Sequence, residues 1–274
     1  MSYDSLKGLV PEDYQHSGEV VAMKVLKAVP LMDKVMDYYL AWSLKLDTYP
    51  AIFGNYYKVT EESCPRLYNL YKVALKRLDM DKEYPLFVTL AFEYNACAFG
   101  GSEPFLVINS SFLKDCTDDE LLFILGHEIG HIKSGHTTYF NIARNLNKIL
   151  SGIHHVTAVL SIGIEYAMEE WFRNAEYTSD RAGVIASGGN MQACYSAVMK
   201  LLGQSERIAD MDFSVEKVLK QAKDFEMDSV GVIGKVLYIG ATMENCHPWS
   251  ILRLKHIYDW YNSGEFDKLV GKFK

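Results

Sequence analysis

The chain has 274 residues, 49% of them hydrophobic, and a formal net charge of −7. That length and apolar content suffice for a substantial core, and the acidic balance without a basic cluster argues against nucleic acid and anionic membrane surfaces as partners. Five cysteines (64, 97, 116, 194, 246) are scattered and form no Cys-x-x-Cys pair, so reduced thiols in a cytoplasmic protein are the simplest account.

Residues Met1 to Val20 are polar and lack the apolar core of a signal peptide. Ser17 to about Leu46 reads as helix broken at Pro30, with apolar positions at Val21, Val25, Met32, Val35 and Tyr39 among others. Pro65 to Leu78 is a second helix, its Leu67, Leu70, Tyr71, Ala74 and Leu75 at helical spacing. Three short apolar runs follow: Leu86 to Ala91, Asn95 to Phe99, and Phe105 to Ile108 after a Gly100-Gly101 turn. They predict a small antiparallel sheet just before the next helix.

Thr117-Asp118-Asp119-Glu120 fits a capping box, in which the threonine hydroxyl accepts from the Glu120 amide while Glu120 reaches back. Leu121, Leu122, Ile124, Leu125, Ile129 and Ile132 then give a broad apolar face. Gly126 and Gly130 weaken such a helix but leave room for close approach. Everything after Thr117 reads as helical, with breaks near Gly188-Gly189, Gly203 and Pro248. Apolar Ile149 to Ile164 is short for a membrane span of about 20 residues and contains His154 and His155, which favours a buried helical hairpin or a contact surface. No linker, low-complexity tract or repeat divides the chain. One domain over 1–274 is therefore expected, with an N-terminal helical region (1–82), a sheet and site helices (83–190), and C-terminal helices (191–274).

Within the Thr117 helix lies His127-Glu128-Ile129-Gly130-His131, a His-Glu-x-x-His pattern. Helical positions i and i+4 differ by roughly 40° about the axis, so both imidazoles can reach one ion about 2.0–2.1 Å away. Glu128 beside the first imidazole can then serve as general base in a peptide hydrolase. Two histidines leave a zinc site incomplete, since catalytic zinc normally keeps three protein donors and an open position. A third histidine ten residues after the first fails, because that residue is Thr137 and the expected glycine is Ser134. His136 falls one short and, on helical projection, faces away from the His127/His131 stripe as a structural or surface residue.

A glutamate from a later helix is the other option. Glu165, Glu169, Glu170 and Glu176 are available, and Glu165 with Glu169 reads as a solvated acidic face. Glu176 stands out because Asp180 follows four residues later, where it could orient an imidazole through its N–H. Spacing alone leaves both a third donor and an exposed acidic face open for Glu176.

Four segments in order, Asn95-Ala-Cys-Ala-Phe-Gly-Gly101, His127 to His136, Glu176 to Gly183 and His247-Pro-Trp-Ser-Ile-Leu-Arg253, resemble the HtpX-like and CAAX-prenyl-protease-type family of zinc metallopeptidases, in particular its soluble members. The resemblance runs from about Val10 to Gly264. It implies an α+β, mainly helical fold with a zincin-like core, and one Zn²⁺ per chain held by His127, His131 and Glu176, with Asp180 behind. Glu128 would act as base and acid on a metal-activated water. The resemblance also implies that Asn95 and Ala96 pair with an extended protein or peptide substrate. It places His247 and Arg253 near the zinc, His247 either stabilising an oxyanion or closing the site. Leu252 departs from the acidic residue that many members carry there, and no convincing membrane span is present, so processing of prenylated proteins in a membrane is not implied. The expected activity is that of a zinc metalloendopeptidase. The alternative is a latent or non-catalytic zinc-bearing protein that holds extended polypeptides.

Overall fold

The structure, a computed structural model, describes residues 4–43, 53–100, 103–153, 158–204, 213–227 and 249–273. Its centre is the helix Asp118–Lys133, started by the expected box: the Glu120 amide donates to Thr117 Oγ1 (3.3 Å) and the Thr117 amide to Glu120 Oε2 (2.7 Å). Every residue from Glu120 to Ile132 is buried. The apolar stripe legible in the sequence is therefore one side of a helix enclosed all round, which also carries its polar site residues into the interior.

The enclosure comes from the sheet, from the helices Pro65–Arg77 and Met191–Leu201, and above all from the long helix Ala158–Ala186. The two central helices touch through small residues. A Cβ at Gly126 would stand 2.2 Å from Ala186 Cβ, and one at Gly130 would stand 2.6 Å from Ala182 Cβ. Overpacking of that kind costs about 1–3 kcal/mol, more than the roughly 0.5–1 kcal/mol a helical glycine loses to alanine. Gly126→Ala is accordingly expected to lower the thermal midpoint. Gly163→Ala, in the long helix with open space around it, should leave the midpoint unchanged or raise it. Equal shifts of the two midpoints would contradict the close crossing.

Among the described residues the sheet has four strands, β1 (Tyr57–Lys58), β2 (Leu86–Thr89), β3 (Ala96–Phe99) and β4 (Phe105–Asn109), in the order β1-β2-β4-β3. It is mixed rather than antiparallel: β1/β2 and β3/β4 run antiparallel, but β2 and β4 are parallel, with Leu86 opposite Leu106. The expectation of an antiparallel sheet fails because β4 turns back along β3 and then enters between β3 and β2. Gly100, at φ +93°, makes that turn, where a Cβ would meet the Glu103 carbonyl at 2.5 Å. As an inner strand β4 is buried on both faces. Leu106 and Ile108 join the main core under the helices, while Phe105 and Val107 join Phe87 on the other face.

The N-terminal helices are Ser17–Ala28 and Met32–Ser43. The break falls where expected, with Val29 extended before Pro30 and Leu31 left-handed at φ +69°. The first packs on the long helix and the second on His136–Arg144 and Leu146–Ser151, and Leu26, Val35, Ile149, Ile164 and Trp171 are buried in a second apolar cluster that they share. Of the described part of the 149–164 stretch, Ile149, Leu150 and Ile164 are buried in this cluster, whereas Ser151, Gly152, Ile162 and Gly163 are exposed. Among the described residues no helix is long and apolar enough to cross a membrane.

Candidate metal centre

The His127/His131 stripe of the motif helix faces the stretch of the long helix that carries Glu176, Ser179 and Asp180. Residues 176 and 180 share a helical face, so one carboxylate meets the imidazole tips and the other meets an imidazole's far side. His127 Nε2 and His131 Nε2 stand 3.0 Å apart. Glu176 Oε2 is 3.5 Å from the first, and its Oε1 is 3.3 Å from the second. Donors bound tetrahedrally to zinc at about 2.0–2.1 Å lie about 3.3 Å from one another. The three side chains therefore fit the size of a zinc ion. All are buried, Glu176 completely.

The surroundings of each imidazole decide which ring nitrogen carries the proton. His127 Nδ1 lies 2.9 Å from Asp180 Oδ1, an acceptor, so Nδ1 donates and Nε2 keeps its lone pair toward the centre. His131 Nδ1 lies 2.9 Å from Ser179 Oγ and 3.0 Å from His136 Nδ1. Burial and the Arg253 charge press the His127 pKa down, but hydrogen bonding to Asp180 and the Glu176 charge outweigh them and the net shift is upward. Burial dominates at His131, where Glu176 opposes and His127 adds to it, and holds that pKa well below the ordinary value. A neutral imidazole is the form that can bind a metal.

Arg253, from the helix Ser250–Asn262, closes the back of the centre with 2% of its surface exposed. Its Nε donates to Asp180 Oδ2 (3.0 Å) and one terminal nitrogen to Asp180 Oδ1 (2.7 Å). The other terminal nitrogen is 3.4 Å from Glu176 Oε2. Burial would raise the Asp180 carboxyl pKa, but the Arg253 charge and the His127 hydrogen bond hold it below the ordinary value. Leu252 turns away and packs against Tyr177 and Ala222, so the departure at that position does not touch the centre.

Glu128 is buried one residue along and, with His127 and Ala96, lines a small pocket whose other walls are Phe112, Phe123, Ile124, Ala197, Leu201 and Arg253. Ala96 opens β3, the outer strand of the described sheet, and the Asn95 carbonyl accepts from the Asn109 amide at 2.9 Å. His247 lies outside the described residues.

Two expectations are corrected. His136 does not face away: the motif helix ends at Lys133, Gly135 takes φ +72°, and a new helix starting at His136 swings that ring against His131. Projection along one continuous helix does not apply across such a turn. Glu169, read as part of a solvated acidic face, is 8% exposed. Sequence reasoning also missed Glu19, whose carboxylate reaches His136 Nε2 at 2.9 Å from 117 residues away. No local signal marks that pairing, although Glu19 is a buried acid in the first turn of an otherwise ordinary helix.

Residues 66–261 match the family described as Peptidase family M48. The chain is 27% identical over 271 residues to a plastoglobule-localized metallopeptidase 48, chloroplastic, of Arabidopsis thaliana, over 97% of this chain and 77% of that protein. It is 33% identical over 102 residues to a protease HtpX homolog of Methanopyrus kandleri, over 34% of this chain and 27% of that one. No solved structure matches.

Proposed function

The chain belongs to peptidase family M48, and from that membership we propose that it is a zinc-dependent metalloendopeptidase in which His127, His131 and Glu176 hold one zinc ion. The observation that carries this reading is the pair of buried imidazole Nε2 atoms 3.0 Å apart, with one Glu176 carboxylate oxygen 3.5 Å from the first and the other 3.3 Å from the second, beside the buried carboxylate of Glu128. Zinc bound there supplies a Lewis acid and a water acidified toward neutrality.

The remaining work falls to the chain's own side chains. Glu128 takes the proton of the attacking water and returns it to the departing amine. Asp180 keeps His127 in the donor tautomer, and Arg253 keeps Asp180 in place. An extended stretch of a protein or peptide substrate lies along Asn95 and Ala96, which brings its carbonyl to the cavity that Ala96, His127 and Glu128 line. The same reading takes 1–274 as a single metallopeptidase domain. The described cysteines 64, 97, 116 and 194 are free thiols, which suits a reducing compartment such as the cytoplasm.

Metal analysis joined to digestion of a mixed peptide library tests the proposal. One zinc per chain and internal cuts that stop on chelation are expected. Zinc without any cleavage would instead support a holding protein, and cuts confined to peptide ends would exclude an endopeptidase.

A further inference from the structure

The two imidazoles of the centre are not oriented in the same way. His127 meets a carboxylate directly, whereas His131 meets a second histidine and a serine. Ser179 is ambivalent, because a hydroxyl can donate or accept, so it does not by itself select the tautomer of His131. The next group along does. His136 Nε2 stands 2.9 Å from Glu19 Oε1, and both residues are buried, 1% and 2% exposed.

The Glu19 carboxylate is itself fixed at its other oxygen, where the Thr178 hydroxyl donates. Thr178 in turn accepts at 3.0 Å from the amide of His16, the N-cap of the Ser17–Ala28 helix. An ionised carboxylate can only accept, and that sets the polarity of the whole row. Glu19 draws the proton of neutral His136 to Nε2 and leaves His136 Nδ1 bare. A bare Nδ1 at 3.0 Å requires His131 Nδ1 to be the donor, which leaves His131 Nε2 bare on the side of Glu176.

We propose that Glu19 and His136 form a positioning relay that holds His131 in its metal-binding tautomer and thereby makes the N-terminal helix part of the metal centre. Glu19 lies outside residues 66–261, so the relay adds a side chain that the family match does not span. The inference rests on the proposed metal role of His131 but not on catalysis. It needs no change of protonation state, only a fixed direction of hydrogen bonding.

Two isosteric replacements separate the relay from simple packing. In His136→Asn the amide oxygen takes the place of Nδ1 and still accepts from His131. In His136→Gln the amide nitrogen takes the place of Nε2 and still donates to Glu19, while the acceptor for His131 is lost. Zinc affinity is measured by chelator competition, together with the visible absorption of the cobalt-loaded protein and the unfolding midpoint of the metal-free form. His136→Gln should bind zinc about 10–100-fold more weakly than wild type, the scale of a lost outer hydrogen-bond partner. His136→Asn should retain much of the affinity and a wild-type cobalt spectrum, and Glu19→Gln should fall between the two. The relay is wrong if His136→Gln binds zinc as tightly as wild type. It is also wrong if the asparagine and glutamine variants lose affinity equally and in step with metal-free stability. A wild-type chain that binds no zinc would remove the metal-centre reading itself, which is a different result.

Discussion

Glu128→Gln is expected to lower peptide hydrolysis by about 10²–10⁴-fold, the usual contribution of a positioned general base and acid, while zinc content stays at one per chain. Glutamine keeps the shape of the side chain but takes no proton from water at neutral pH. Glu128 is one of the buried groups lining the cavity, so the replacement removes a charge without opening space. The loss should fall on kcat, with KM for an unfolded protein such as casein little changed, because the proposed substrate pairing along Asn95 and Ala96 does not involve this carboxylate. Turnover of casein at the wild-type rate by a zinc-loaded Glu128→Gln would rule out the proposed mechanism. A variant that also lost its zinc would show instead that residue 128 helps hold the metal.

Features fixed by local spacing were the ones legible in the amino-acid sequence. The capping box at Thr117 and the i, i+4 histidines depend only on helical geometry, whereas spacing leaves Glu176 open between a third donor and an exposed acid and only the family resemblance favours the donor. The structure brings 127, 131, 176 and 180 into one buried cluster. Gly126 and Gly130 were readable as sites of close approach for the same reason. The order of the strands was not readable, because β4 enters between β2 and β3 through pairings that no single strand encodes. Helical projection fails for His136 because one left-handed glycine separates the end of one helix from the start of the next, and no hydrophobic period survives that turn. Glu19 was invisible for a third reason: its partners Thr178 and His136 lie more than a hundred residues away, so only the tertiary fold unites them.

Arg253→Ala is expected to cost about 3–5 kcal/mol of metal-free stability at neutral pH, the usual result of removing one side of a buried ion pair. Against a typical total of about 5–15 kcal/mol, that is a large share. Arg253 makes a two-point contact with Asp180 and approaches Glu176, and none of the three side chains is more than 2% exposed. Truncation leaves two buried carboxylates beside His127 and His131 without the guanidinium's positive charge. The pH dependence gives the sign. With Arg253 present the folded Asp180 pKa lies below its unfolded value, so Asp180 contributes stability above the ordinary carboxylate range and loses it as pH falls through its depressed folded pKa. Without the guanidinium, burial becomes the dominant influence and raises the folded pKa above the unfolded one. Asp180 then destabilises the variant most at neutral pH, and the deficit shrinks on acidification as the carboxyl takes up its proton. Urea unfolding of both metal-free proteins at pH 7.5 and 5.5 should therefore show a larger gap at the higher pH. Added zinc should narrow the gap at pH 7.5, since a bound cation beside Glu176 takes over part of the lost positive charge. A gap that is small at both pH values, or that widens toward acid, would mean that Arg253 does not neutralise this pair.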